Sequence, residues 1–319
     1  MEDEPESEDQ IDSDSEQRSS RPDAETTSGR ETFYSGERMN ADEALGITRS
    51  SLARVIILAG PPRSGKTTIL TSIYHLFQRD GSIGEYRFAG SKTLIGLERV
   101  SHTARIRSGR TDPETERTKS SDRIEFLHLC VTNKSSHDRV HLLLSNVPGE
   151  TFERARKHSD EAQRLKALRR TDQLNILLDG EKIINPKKRH TVLTKARTLI
   201  GRLVEEGILG KKSDANILFT KWDLIELNDD KKEAKKFVET AKKSMHNKYA
   251  DKFNKMRFFE VAARPKKESS FQLGYGVKNI FEKWVSKMPR TEAQIYNSHL
   301  HRGKQRQFES FYISDSHFK

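Results

Sequence analysis

Apolar residues along the chain come in short β-branched runs separated by longer stretches of helical period. Arg54-Val55-Ile56-Ile57-Leu58-Ala59 reads as a buried strand, and Thr68 to Phe77, apolar at 69, 70, 73, 74, 76 and 77, reads as a helix with one buried face. Tyr86 to Ala89 is a short strand, and Thr93 to Arg105 a helix with Leu94, Leu97 and Ala104 on one side. The runs 124–131 and 140–145 flank a polar turn and predict a hairpin. Arg154 to Arg169 reads as one charged helix. After it, strands at 174–178, 215–220 and 257–261 alternate with helices at 191–206, 231–248 and 277–287. That alternation predicts an α/β chain with a mainly parallel, doubly wound sheet in three layers.

Composition changes this picture at the ends. Residues 1–30 hold 11 Asp or Glu against 3 Arg and almost no large apolar residue, so they cannot bury enough surface to offset their ordering entropy. An acidic, disordered tail is expected over 1–50, a folded body over 51–289, and a basic, aromatic tail over 290–319. The whole chain is +11, so residues 31–319 carry +19, which suits an anionic partner. The single cysteine, Cys130, rules out a disulfide within the chain and a zinc site of the cysteine-rich kind. No apolar run approaches 18 residues and the N-terminus is acidic, so a cytoplasmic protein is expected.

The chemistry enters between the first strand and the first long helix. Gly60-Pro61-Pro62-Arg63-Ser64-Gly65-Lys66-Thr67, followed by Thr68, spells a phosphate-binding loop in the strand–loop–helix setting that makes the pattern a site. Gly60 and Gly65 are expected to let the backbone curl, so that successive N–H groups meet phosphate oxygens at a helix N-terminus. Lys66 is expected to reach the β- and γ-phosphates, and the Thr67 hydroxyl to ligate Mg²⁺.

Three later segments follow strands in the same way. His141 to Ser145 delivers Asn146-Val147-Pro148-Gly149-Glu150, where a GTPase has Asp-x-x-Gly. Gly149 matches the glycine whose N–H senses the γ-phosphate; Asn146 replaces the Asp that steadies a magnesium-bound water; Glu150 stands where many GTPases place a water-orienting Gln. Thr220-Lys221-Trp222-Asp223 is the Thr form of the guanine-reading motif. Asp223 can accept both the ring N1–H and the 2-amino group of guanine, a donor pair that adenine lacks. The plainer alternative there is an Asp223 helix cap beside a surface lysine. Ala262 and Ala263 occupy the place of the Ser-Ala-Lys loop, whose backbone meets the guanine oxygen. The polar loop 108–118 lies where switch I belongs: Thr111, Thr115 and Thr118 are candidates to close on Mg²⁺, Thr115 and Thr118 favoured, and Arg110 and Arg117 are candidate cations for the transition state.

The ordered set GPPRSGKTT, SKTLIGLERVSHTARIRSGRTDPETERT, LHLCV, LLLSNVPGETF, LNILLDG and LFTKWDL resembles the TRAFAC-clade double-GTPase domain of bacteria over roughly residues 52–285. The resemblance implies a P-loop GTPase fold, GTP or GDP with Mg²⁺, a partner GTPase encoded alongside, and a role in bacterial conflict such as phage defence. Two functions compete: an active GTPase switch, in which Glu150 helps place the attacking water, and a nucleotide-gated interaction module that hardly hydrolyses GTP, favoured by Asn146. A P-loop ATPase or nucleic-acid-linked enzyme ranks third, since Asp223 argues against adenine and no nucleic-acid reading motif is present.

Overall fold

The structure, a computed structural model, describes residues 35–102, 124–145 and 147–286. Thr111, Thr115, Thr118, Arg110, Arg117, Asn146 and the expected C-terminal tail lie outside the described residues.

A helix α1 (Ala41–Ser50) precedes strand β1 (Ala53–Ala59), helix α2 (Lys66–Asp80), strands β2 (Ser82–Ile83) and β3 (Tyr86–Gly90), and helix α3 (Leu94–His102). The hairpin β4 (Phe126–Asn133) and β5 (Arg139–Ser145) follows, then α4 (Gly149–Lys157), α5 (Ser159–Gln163) and β6 (Gln173–Asp179). The chain continues through α6 (Gly180–Ile183), α7 (Pro186–Glu205), β7 (Asp214–Thr220), α8 (Trp222–Leu227), α9 (Lys231–Tyr249), β8 (Met256–Val261) and α10 (Val277–Val285). The strands form one sheet in the order β2-β3-β4-β5-β1-β6-β7-β8. It is parallel from β5 through β1 to β8, and antiparallel from β2 to β5 because the hairpin returns directly.

Apolar residues alternate across the strands into two cores. One face carries Val55, Ile57, Ile176 and Ile217 under α1, α4, α7 and α9. The other carries Ile56, Leu58, Leu177 and Leu218 under α2 and α10. Because β1, β6 and β7 are buried on both faces, they read as continuous apolar runs. The P-loop fold with a mainly parallel, doubly wound sheet in three layers is thus present.

Two boundaries differ from the sequence reading. Of the acidic tail expected over 1–50, residues 1–34 lie outside the described residues, and 41–50 form α1, built by a capping box between Asn40 and Glu43 and anchored by Met39, Ala44 and Ile47 in the core. The capping box is a local signal, and packing of Ala44 and Ile47 against the body holds the helix in place. The single helix expected over 154–169 instead starts earlier, at Gly149, and breaks at His158, whose backbone is extended (φ −127°, ψ 131°). Past the break the chain runs as the short α5 and then a 3₁₀ turn, 164–170.

One buried amide holds the sheet's register. Asn175 Nδ2 donates to the Ile57 carbonyl (3.0 Å), and its Oδ1 accepts from Trp284 Nε1 (3.0 Å) and Asn216 Nδ2 (3.1 Å). It links β1, β6, β7 and α10, and a one-residue slip of β6 would turn it to the other face.

On the hairpin, buried His128 stacks on half-buried His141. His128 Nδ1 accepts from the Lys92 N–H (2.9 Å), and the two rings meet through Nε2 and Nδ1 at 2.9 Å. Burial first, then His141 and Lys92, push the His128 pKa down to about 3, and His141 is lowered in the same direction. A folded pKa below the unfolded value means the unfolded chain takes up protons first, so stability falls as pH drops below about 6.5. Between pH 7 and pH 5, the His128 share of that loss is about 2 kcal/mol. Urea unfolding at the two pH values is expected to show a smaller loss for His128→Gln than for the parent chain; equal losses would remove the assignment.

Candidate functional site

The site lies at the carboxyl ends of β1, β5, β6, β7 and β8, the edge at which open α/β sheets bind ligands. The loop after β1 turns through Arg63 (φ 64°) and Gly65 (φ 95°), both in the left-handed region, directly into α2. Alternation of this kind makes a concave nest of N–H groups. Gly65 has the conformational role expected of it. Gly60 does not: its φ is not positive, and a side chain there would instead meet Ser64 Oγ at 2.8 Å and the Leu177 carbonyl at 3.2 Å. Gly60 therefore provides room rather than a special angle. Arg63 is exposed, while Ser64 is fully buried with its Oγ unpartnered among the described residues.

Lys66 opens α2 and folds back over the loop, donating from Nζ to the carbonyls of Gly60 (2.9 Å) and Pro61 (3.1 Å). Burial lowers its pKa to about 8. An ammonium held by carbonyls alone has no counter-charge, which a phosphate would supply. Thr67 and Thr68 follow in the first turn, half-buried.

Gly149 begins α4 against the phosphate loop. A Cβ on it would fall 2.4 Å from the Pro62 nitrogen and 2.7 Å from the Pro61 carbonyl carbon. Backbone therefore meets backbone, and the opening amides of α4 lie beside the loop. Glu150 stands in that first turn, half-exposed.

The tetrapeptide after β7 is tied to the phosphate loop. The Thr220 hydroxyl donates to the Ser64 carbonyl (2.8 Å) and lies 3.2 Å from that of Leu178. Lys221 takes a left-handed backbone (φ 52°) and caps α8 without a side-chain bond, so Asp223 is not the helix cap. Asp223 is buried, and its Oδ2 accepts the Lys266 N–H (3.0 Å) from the loop after β8. In that loop the Ala263 carbonyl accepts from Ser72 Oγ of α2 (2.9 Å) and from the Gly274 N–H (3.1 Å), and the Ala262 N–H donates to Tyr275. The bonds run from Ser64 to Thr220, from Asp223 to Lys266, and from Ala263 to Ser72, returning to the helix that begins at Lys66.

Several residues here escaped the sequence reading. Asp179, buried at the end of β6, accepts from Lys221 Nζ at 3.0 Å, and Glu181 accepts from the same nitrogen at 2.6 Å. Burial alone would lower the Lys221 pKa; the bonds to Glu181 and Asp179 outweigh it and hold the ammonium above its usual range. The lysine is thus no simple surface residue. Gly180 lets these loops touch, since a Cβ there would come 2.4 Å from the Thr220 carbonyl. The available signal was position, at the carboxyl end of a buried strand; Ser72 and Lys266 carried none. The structure gathers Gly60 to Thr68, Gly149, Glu150, Thr220 to Asp223, Ala262 and Ala263 at one edge.

The family model described as Double-GTPase 2 matches residues 54–285, and the chain belongs to that family. Membership implies guanine-nucleotide binding. No curated protein matches the chain significantly. Among solved structures, the signal recognition particle receptor SRb-GTP/SRX complex from Chaetomium thermophilum is similar at 17% identity, covering 72% of this chain and 97% of that one, with a TM-score of 0.38. No helix among the described residues is long and apolar enough to cross a membrane.

Proposed function

We propose that this Double-GTPase 2 member is a GTP-binding switch that works with Mg²⁺ and a partner protein. The observation that carries it is the circuit of hydrogen bonds joining the phosphate loop, the Thr220–Asp223 tetrapeptide and the Ala263 loop. Gly65 and Arg63 shape the nest, Lys66 brings the cation, and Asp223 offers the carboxylate that guanine's donor pair requires. Thr67 supplies a hard hydroxyl oxygen of the type Mg²⁺ takes, and nucleotide phosphates the others. Bound Mg²⁺ would offset charge on the phosphates. Glu150, at the start of α4, would orient water, and Thr115 or Thr118 would close over the phosphates. A partner GTPase and a role in bacterial conflict such as phage defence rest on the resemblance to the double-GTPase domain.

Asn146 favours a second reading, a nucleotide-gated module with little hydrolysis, because a neutral amide holds a metal-bound water more weakly than a carboxylate does. Phosphate release from GTP with Mg²⁺, measured for the parent chain and for Asn146→Asp, separates the two. A switch with a weakened site is expected to turn over slowly and to gain at least tenfold in Asn146→Asp. No turnover in either, with GTP still bound, leaves the module.

A further inference from the structure

A second concavity lies behind the phosphate loop, between α4 and α7 over the end of β6. Its volume is about 190 Å³, more than the roughly 150 Å³ of an engineered cavity that takes up benzene. Gly60 and Pro61 form one edge, but Lys66, Thr67, Thr220, Asp223 and Ala263 do not line it. It is a separate space sharing one wall with the nucleotide cradle.

Its chemistry is two-sided. The floor is apolar, made by Phe152, Ile176, Leu177, Ala196 and Leu199. The rim is cationic: Arg156, Lys182, Lys188 and Lys195 stand against one carboxylate, Glu153. Glu153 is shared between Arg156 (3.0 Å) and Lys195 (3.1 Å), so it neutralises at most one of them. Lys182 reaches Asp179 only at 3.9 Å, and exposed Lys188 has no ion pair among the described residues. Arg156 Nε is buried without an acceptor among the described residues. An apolar floor with a few convergent polar groups is the usual make-up of a small-ligand site.

We propose that this cavity binds a small amphipathic carboxylate, its apolar body on the β6 floor and its anionic end at Lys182 and Lys188, the two rim cations that Glu153 does not reach. The occupant would sit against Pro61, which together with Pro62 is the backbone that Gly149 packs on. The proposal does not depend on the nucleotide reading, because neither the ligand nor its test involves nucleotide.

Ligand-observed NMR titrations of the full chain with octanoate, octan-1-ol and octylamine test it. Octanoate is expected to bind, octan-1-ol about tenfold more weakly, and octylamine not at all. Ala196→Phe, which fills the cavity from α7, is expected to abolish octanoate binding. Lys188→Gln is expected to weaken octanoate about tenfold and leave octan-1-ol unchanged. Octylamine binding as well as octanoate, or undiminished octanoate binding by a folded Ala196→Phe chain, overturns the proposal. Should Ala196→Phe not fold, an unchanged octanoate affinity in Lys188→Gln overturns it alone.

Discussion

Lys66→Met is expected to lower GTP affinity by roughly two to three orders of magnitude while leaving the nucleotide-free protein no less stable. The first half follows from charge. The Lys66 ammonium now satisfies itself on the Gly60 and Pro61 carbonyls, and exchanging those for phosphate oxygens turns neutral acceptors into charged ones, each worth about 1.5–3 kcal/mol. The second half follows from burial, which lowers the pKa to about 8. The unfolded lysine holds its proton to about 10.5, so keeping the charge in the fold costs stability. That cost is present in full below about pH 8 and fades as pH rises from 8 toward 10.5. At neutral pH it amounts to about 3 kcal/mol at most, and methionine removes it while retaining the stem. A phosphate reverses the shift, so GTP binding near pH 8 should take up protons. Calorimetric enthalpies measured at pH 8 in buffers of different ionisation enthalpy would then diverge for the parent chain. Matching enthalpies in those buffers at pH 8, or full GTP affinity in Lys66→Met, would remove Lys66 from the phosphate site.

Asp223→Asn is expected to weaken GTP by two orders of magnitude or more and to transfer preference to xanthine nucleotides. The substitution is unusually clean here. Asp223 Oδ2 already accepts the Lys266 N–H, and an asparagine can keep that bond with its remaining oxygen. Its amide nitrogen then faces the base as a donor, where guanine also offers donors at N1 and the 2-amino group. Two donors opposed in a buried site leave both unpaired, which is how such sites reach large discrimination. Xanthine carries an oxygen at position 2 and accepts from the new amide. Competition of GTP, XTP and ATP against a fluorescent nucleotide gives the order directly. A parent chain that takes ATP as well as GTP, or an Asp223→Asn chain with unchanged GTP affinity, would withdraw the guanine assignment.

Several parts of this molecule were legible without coordinates, for local reasons. The run from Arg54 to Ala59 is apolar on both faces because β1 is covered on both, and the same holds for β6 and β7. The loop from Gly60 to Thr67 has its meaning in its own spacing, since a left-handed Gly65 and a helix beginning at Lys66 are properties of consecutive residues. The hairpin of β4 and β5 is marked by its polar turn. The tetrapeptide Thr220 to Asp223 is likewise contiguous, although its alternative as a plain helix cap was excluded only when Lys221 took that position.

What only the tertiary structure decided depends on groups far apart in the chain. Helix α1 carries a local capping box but owes its place to Met39 and Ile47 in the core. Gly60 and Gly149 prove to be glycines for close approach: one makes room for Ser64 and Leu177, the other for Pro61 and Pro62. Lys221 is held by Asp179 and Glu181, some 40 residues away, and Ala263 by Ser72 across 191. The cationic cavity needs α4, α6 and α7 together before it exists at all. Sequence by itself determines dihedral preference, apolar period and the chemistry of neighbouring residues, because those act over a turn or a strand. Which loops touch, which amide is shared and where a concavity opens follow from packing, a property of the assembled sheet rather than of any segment.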